Sequence, residues 1–264
     1  MTSVWRTFFS NRLLTRTARV GASNVREWLC RITSPNLRIG FLSIALAGFV
    51  LASTVTGKVE VTGVHGVAGN SGVALWLMPR SGTAPDRHPG QVRMLQQHKQ
   101  FQPHVLAIQV GTIVDFPNLD PIFHNAFSNI DGQPFDVGLY PPGSSRRVLF
   151  HKTGIVRVFC NIHQSMSAVI VVEDTPWLAV SNERGGYTIA DVPPGEYTLH
   201  VFYERATKQT LESLVRAVAV GETRTSMPAL QISGTGYIAV PHQNKYGRDY
   251  PPAEDDDRLY GKKR

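Results

Sequence analysis

One short stretch, Val158–Met166, restricts the fold of this chain more than any other feature. A thiol at Cys160, an imidazole at His163 and a thioether at Met166 occur there at Cys-x2-His-x2-Met spacing, directly after an apolar run typical of a strand. Three such side chains on one tight loop can approach a metal ion from one side. The remaining side must be filled from a distant part of the sequence, so the fold must bring two separate segments together.

The strongest candidate for that distant residue is His124, in the segment Phe123-His124-Asn125-Ala126-Phe127-Ser128. Two histidines, one thiolate and a weak thioether form the ligand set of a blue-copper electron-transfer site. Zinc favours a closed tetrahedral set with more cysteine or histidine and no thioether. A nucleophilic pair of Cys160 and His163 is less suited to this spacing, because three residues apart on a tight loop they share a metal more easily than they relay a proton. We therefore predict one copper ion (Cu+/Cu2+).

The remaining histidines lack such a context and are expected to be surface or strand residues rather than ligands. They are His65, His88, His98, His104, His151, His200 and His242.

The positive charge of the chain is concentrated at its N-terminus. The formal net charge is +7, from 27 basic and 20 acidic side chains, but residues 1–40 hold seven arginines and one acid, Glu27. Residues 41–264 therefore carry 20 basic and 19 acidic side chains, a net charge of +1. This near-neutral balance argues against a nucleic-acid-binding surface.

An apolar run over residues 41–52 has the length of a secretory signal core, and small residues at Val50 and Ala52 predict cleavage near Ala52–Ser53. The alternative is a retained anchor, because residues 39–57 contain no charge and are barely long enough to span a bilayer. We predict a leader over residues 1–52 and export to the periplasm, or anchoring to the inner membrane facing the periplasm.

Of the two cysteines, Cys30 lies in the leader, so Cys160 has no disulfide partner in the exported part. A metal-bound thiolate suits an oxidising compartment better than a free thiol does. A buried, inert cysteine is the other interpretation, but it leaves His163 and Met166 unexplained.

Short apolar runs bounded by Gly, Pro, Asn and Asp recur through the chain and predict an all-β fold. Strands are expected over residues 58–64, 73–79, 101–110, 112–116, 135–139, 147–150, 154–160 and 168–172. Residues 80–100 are polar and are expected to form a connecting loop. Residues 185–189 and 192–201 are expected to pair as a hairpin. The tail over residues 234–264 is polar, rich in Pro and charge, and expected to be disordered.

The middle of the chain resembles a cupredoxin. The resemblance rests on Gly111-Thr112-x-Val114-x-Phe116-Pro117-Asn118-x-Asp120, on His124-Asn125, and on Val158-Phe159-Cys160-x-x-His163-x-x-Met166. These residues are similar to those of plastocyanin-like domains, and the two-residue gap between His163 and Met166 is most similar to the gap in amicyanin. The resemblance implies a Greek-key β-sandwich over residues 95–173. It also implies a type 1 site with His124, Cys160 and His163 as equatorial ligands, Met166 as the axial ligand, and Asn125 bracing the ligand loops.

The segment 174–233 resembles a carboxypeptidase regulatory-like domain, a small Ig-like β-sandwich without catalytic residues, through its Gly-Gly-Tyr-Thr-Ile and Val-Pro-Pro-Gly-Glu-Tyr-Thr-Leu runs. Residues 57–80 resemble the opening strands of the same domain. We therefore expect the cupredoxin to be inserted into this second sandwich, the alternative being that residues 57–80 are the first cupredoxin strands.

The resemblance implies an exported, non-enzymatic carrier of single electrons between redox partner proteins. Copper storage or delivery without fast electron transfer is the alternative, and a surface or adhesion sandwich with an incidental metal site is a third. A copper oxidase or reductase is disfavoured, because no further histidines flank Cys160 to hold a second copper.

Overall fold

The computed structural model describes residues 52–63, 69–85, 90–238 and 241–250, which belong to one compact unit, Gly48–Arg264. The described residues form two β-sandwiches. The inner sandwich comprises residues 91–173, and the outer sandwich comprises residues 53–79 and 178–233. Among the described residues, no helical segment has both the length and the hydropathy that a bilayer span requires.

The outer sandwich begins with two strands that precede the inner sandwich in sequence: β1 (Ser53–Thr62) and β2 (Ala74–Pro79). It resumes afterwards with six strands and one short helix: β13 (Leu178–Val180), β14 (Gly186–Val192), β15 (Gly195–Phe202), α1 (Lys208–Ser213), β16 (Arg216–Val220), β17 (Thr225–Ser226) and β18 (Leu230–Ser233).

Two sheets build the outer sandwich. In the first, β1 pairs antiparallel with β14 on one side and parallel with β17 and β18 on the other. In the second, the strand order is β13-β2-β15-β16. Their facing side chains form one buried cluster that includes Val59, Leu75, Ile189 and Leu199. Strands from before and after residues 91–173 therefore share one core.

The expected hairpin over residues 185–201 is wrong. Strand β14 pairs with β1, whereas β15 pairs with β2 and β16, so the two runs lie in opposite sheets. The connection between them contains Pro193 and Pro194, which have no amide hydrogen to donate across a hairpin.

The inner sandwich contains ten strands: β3 (Gln91–Arg93), β4 (Leu95–Gln97), β5 (Gln100–Gln102), β6 (Val105–Gln109), β7 (Ile113–Pro117), β8 (Phe127–Ser128), β9 (Phe135–Asp136), β10 (Ser145–Leu149), β11 (Gly154–Phe159) and β12 (Ser167–Glu173). A five-stranded sheet, ordered β6-β12-β11-β8-β9, faces a three-stranded sheet, ordered β10-β7-β3, and β4 pairs with β5. Part of the segment 80–100, expected to be a loop, thus forms β3 and β4. These short strands are mostly polar because they and the residue between them contribute only Met94 and Gln96 to the buried interior.

Strand β12 joins the two sandwiches, because each of its two faces packs into a different apolar cluster. Side chains alternate between the two faces of a strand. Ile170 and Val172 face the core of the inner sandwich. Val169 and Val171 face the opposite way, into an apolar cluster with Ala74 of β2 and with Phe202 of β15. The strand is apolar almost throughout because both of its faces are buried.

Two predictions concern the ends of the chain. Most of the leader, residues 1–51, lies outside the described residues, as does the signal sequence expected there. The uncharged segment 39–57 extends into β1, where residues 53, 55, 56 and 57 pair with residues of β14. Of the tail expected to be disordered, residues 241–250 are packed against the inner sandwich, whereas residues 251–264 lie outside the described residues.

Candidate metal centre

His124 lies between β7 and β8, at the end of a turn that is stabilised by the side chain of Asn118. The amide of Asn118 donates to the carbonyl of Ile122 at 2.8 Å, and the carbonyl oxygen of the same side chain accepts the N–H of Asp120 at 3.0 Å. The backbone of His124 then forms an isolated antiparallel bridge with Tyr140. Because the turn and the bridge fix the backbone on both sides, the imidazole is held inside the sandwich, where it is fully buried.

Cys160 follows the last residue of β11 directly, and Met166 precedes the first residue of β12. The two strands pair antiparallel up to Phe159 and Ser167. The loop between them is closed by two backbone hydrogen bonds: Cys160 N–H donates to the carbonyl of Met166 at 3.2 Å, and Met166 N–H donates to the carbonyl of His163 at 3.1 Å. The loop therefore returns Met166 to the position beside Cys160.

The three predicted nitrogen and thiol donors meet at one point. The Sγ atom of Cys160 lies 3.9 Å from Nδ1 of His124 and 3.7 Å from Nδ1 of His163. All three donor atoms lie within 4.8 Å of one another. A nitrogen bound at about 2.0 Å and a sulfur bound at about 2.3 Å to one ion, about 120° apart, are separated by roughly 3.7 Å. The donors thus fit a shared metal ion with little movement. They are the one group of three or more His, Cys, Asp or Glu ligands with this geometry in the part of the chain that the structure describes.

Met166 is fully buried and belongs to the hydrophobic core of the inner sandwich, together with Cys160. Asn125, next to His124, is also fully buried. Its amide nitrogen donates to a carboxylate oxygen of Asp136 at 2.8 Å. Asn125 therefore connects the His124 segment to β9 through its side chain.

Burial raises the pKa of the Cys160 thiol, which opposes formation of the thiolate in the metal-free protein. Backbone N–H groups of Ile162, Asn125 and His163 face the sulfur and partly offset this effect by lowering the pKa. The sulfur is thus surrounded by donors that stabilise negative charge on it. A metal ion would complete this environment, since only the thiolate is a metal ligand.

A carboxylate holds the outer nitrogen of His124. The Nε2 atom of His124 and Oδ2 of Asp120 are 2.7 Å apart, and both side chains are buried. Burial alone would raise the pKa of Asp120, but hydrogen bonds from the amides of Lys99 and His98 and from His124 together hold that pKa below its ordinary value. The ionised carboxylate favours a proton on Nε2, which makes Nδ1 the unprotonated nitrogen that can ligate a metal.

Sequence reasoning assigned no role to five residues that contact the centre or the segments of its ligands. Asp120 is one of the residues that carry the cupredoxin resemblance, and its role could have been inferred because an acid four residues before the first histidine is a local pattern. The roles of His242, Lys245 and Tyr250 could not, since their contacts depend on how the tail packs. The contact of Asp136 with Asn125 could not either, because it depends on the position of β9 in the fold.

No protein-family model matches the chain, and no curated protein matches it. Solved structures that it resembles include the Cu-containing nitrite reductase (NirK) from Thermus scotoductus SA-01, at 30% identity and a TM-score of 0.31. That match covers 36% of this chain and 25% of the nitrite reductase. The chain is also similar to the purple cupredoxin from Nitrosopumilus maritimus, at 22% identity and a TM-score of 0.28, over 31% of this chain and 98% of that one. A mutant of amicyanin in its reduced state matches at 17% identity and a TM-score of 0.30, over 38% and 98% of the two chains.

Proposed function

We propose that the chain is a cupredoxin whose inner sandwich holds one type 1 copper ion, with His124, Cys160 and His163 as equatorial ligands and Met166 as the axial ligand. The convergence of one thiol and two Nδ1 atoms, with separations of 3.7 and 3.9 Å to sulfur, is the observation that supports it most. These donors come from two segments 36 residues apart in sequence, so their meeting is a property of the fold.

The donor set favours copper over zinc. A buried thioether next to a thiolate and two imidazoles suits the soft Cu(I) ion and the Cu(I)/Cu(II) couple, whereas structural zinc sites use four cysteine or histidine ligands. When bound, copper would supply the one-electron couple. The protein's part is to exclude water and hold the ligands: His124, Cys160 and Met166 are fully buried, and Asp120 fixes the ring of His124.

We further propose that the protein carries single electrons in the periplasm. His163 is partly exposed, unlike His124 and Cys160, so its ring edge offers the shortest way between the buried sulfur and a partner. Apolar side chains are exposed beside the ligand segments, with Phe123 next to His124 and Ile162 next to His163. Leu139 is exposed beside Tyr140, whose backbone pairs with that of His124. A redox partner with an apolar surface would fit this face, and the net charge of +1 over residues 41–264 provides little electrostatic steering.

The test is copper loading of the protein that begins at Ser53. Cu(II) should give an intense thiolate-to-copper absorption band and an EPR signal with small parallel hyperfine splitting. Cys160→Ser should lose the band, Met166→Leu should keep it with a changed reduction potential, and the exposed His151→Asn should leave it unaltered. Rapid electron self-exchange supports a carrier, and slow exchange supports copper storage or delivery. A protein that takes up no copper would rule out both.

A further inference from the structure

A segment near the C-terminus lies directly on the loop that connects Cys160 and Met166. We name residues 241–250 the strap. Its Tyr250 hydroxyl donates to the backbone carbonyl of Cys160 at 2.9 Å. The Nε2 atom of His242 lies 2.9 Å from the carbonyl oxygen of Gln164. The backbone N–H of Lys245 donates to Oδ1 of Asn161 at 3.0 Å.

Lys245 also reaches the other half of the centre. Its Nζ atom is 2.7 Å from a carboxylate oxygen of Asp136. The second oxygen of that carboxylate accepts the amide hydrogen of Asn125 at 2.8 Å. One residue of the strap is thus connected to the segment of His124 through two side chains and to the Cys160 loop through its own backbone.

Ring packing supports the same arrangement. The imidazole of His242 stacks on Phe159, the residue before Cys160, with ring centroids 4.1 Å apart and planes inclined by 27°. Tyr250 packs edge-on against His242 at 5.2 Å. Phe159 is almost fully buried. The strap therefore packs on an apolar side chain at the end of β11, directly before Cys160.

The strap has a structure of its own, which limits the entropy lost when it packs. The side-chain oxygen of Asn244 accepts hydrogen bonds from the N–H groups of Tyr246 and Arg248. The backbone N–H of Asn244 donates to the carbonyl of Arg248, and its carbonyl accepts from the N–H of Gly247. Gly247 adopts a φ of +69°, which glycine accepts without steric cost. This turn presents Lys245 and Tyr250 toward the loop.

The loop needs support from outside because it has little of its own. Ile162, Gln164 and Ser165 are exposed. Its internal backbone-to-backbone hydrogen bonds among the described residues are the two that join Met166 to Cys160 and to His163, and the N–H groups of Ile162 and His163 face the weakly accepting sulfur of Cys160. A ligand loop that shifts would move His163 and Met166 relative to the sulfur of Cys160.

We propose that the strap is a part of the metal centre, in which Tyr250 and Lys245 are positioning residues that hold the Cys160–Met166 loop in its ligand-binding conformation. The role in copper binding rests on the function proposed above, whereas the restraint on the loop does not. Removing one hydrogen bond from the strap is expected to raise the population of an open loop about fivefold, the usual effect of a single intramolecular hydrogen bond.

The first measurement is amide hydrogen exchange of the metal-free full-length protein. Tyr250→Phe and Lys245→Met should each raise exchange about fivefold over residues 161–166. Exchange in β14 and β15 of the outer sandwich should stay constant, which shows that the variants are folded. Lys245→Arg should restore most of the protection, since it keeps the ion pair with Asp136. Tyr237→Phe is the matched control, because it removes a hydroxyl just before the strap that makes no hydrogen bond to the loop among the contacts that the structure describes.

The second measurement is removal of Cu(I) by a competing chelator, with the visible and EPR spectra of the Cu(II) form. Tyr250→Phe and Lys245→Met should release copper about fivefold faster and alter the ratio of the absorption bands, whereas Tyr237→Phe should do neither. A wild-type protein without the thiolate-to-copper band would refute the copper function, and the exchange measurement would still decide whether the strap restrains the loop. Unchanged exchange at residues 161–166 in both strap variants would overturn the proposal.

Discussion

The carboxylate of Asp120 and the imidazole of His124 form a buried pair, with Oδ2 and Nε2 separated by 2.7 Å. The pair fixes the orientation of the imidazole ring and determines which of its nitrogens carries the proton. Because Nε2 faces a carboxylate that is kept ionised, Nδ1 is the nitrogen that remains for a metal. The same Nδ1 lies on the side of the ring that faces the sulfur of Cys160.

Replacing Asp120 by Asn should weaken copper binding about 10- to 100-fold, the usual effect of losing a carboxylate behind a ligating histidine. The amide can still accept a hydrogen bond from Nε2, but it has no charge to favour that tautomer. Competition with a chelator of known affinity measures the change. Asp131→Asn is the control, because Asp131 is exposed and pairs only with Arg157 on the surface among the contacts that the structure describes. Equal affinities of Asp120→Asn and the wild type would contradict the role of the pair.

Copper should stabilise the inner sandwich, because its ligands come from the His124 segment and from the β11–β12 loop, which separate on unfolding. Free copper at about 1,000 times its dissociation constant would add about 4 kcal/mol to the free energy of unfolding. Thermal unfolding of the metal-free and loaded protein measures this difference. Cys160→Ser should show a much smaller shift, and an equal shift in that variant would indicate that copper stabilises the protein at another site.

The local part of the centre was predictable and the long-range part was less so. Cys160, His163 and Met166 occupy one loop, so their spacing alone indicates a shared metal. His124 was identifiable through its neighbour Asn125 and its place before the loop. The strap was not, because Lys245 and Tyr250 contact the centre through a few long-range bonds from a polar segment whose composition is that of a disordered tail.

The strands were predictable where one or both faces are buried. The run Ser167–Glu173 is largely apolar because both faces of β12 are covered. Strands β3 and β4 were missed since their residues are mostly polar and carry no alternation. The arrangement of β14 and β15 was misjudged because a short connection shows only that two strands lie near each other. Two strands in facing sheets can be joined by a short connection as well as two strands of a hairpin can.

Glu173, at the end of β12, should make stability depend on pH. Burial, with a smaller contribution from Asp174, raises the pKa of Glu173 from 4.5 to about 7. The folded state therefore holds a proton that the unfolded state releases between these values. The stabilisation is fully present below pH 4.5 and is lost as the pH rises through about 7.

Glu173→Gln should remove this dependence, because the amide does not titrate. Urea unfolding at pH values on both sides of the window should show a steeper loss of stability in the wild type than in the variant. Glu196→Gln, at a residue on β15 that is exposed, is the control and should keep the wild-type slope. Parallel pH profiles for the wild type and Glu173→Gln would show that the carboxyl is ionised normally.

Gly185 should be required by the outer sandwich and not by the metal centre. It adopts a φ of +79°, and a β-carbon there would overlap the carbonyl oxygen of Val59 on β1. Strain at positive φ and this overlap should together lower the free energy of unfolding of Gly185→Ala by about 2 kcal/mol or more. Gly82→Ala is the matched control, since Gly82 has a φ of +77° but open space around it, and it should cost only about 1 kcal/mol. Because all four proposed ligands lie in the inner sandwich, copper-loaded Gly185→Ala should keep the wild-type visible spectrum while its unfolding midpoint falls. A lost absorption band at temperatures where the variant is folded would show instead that the outer sandwich shapes the metal centre through β12.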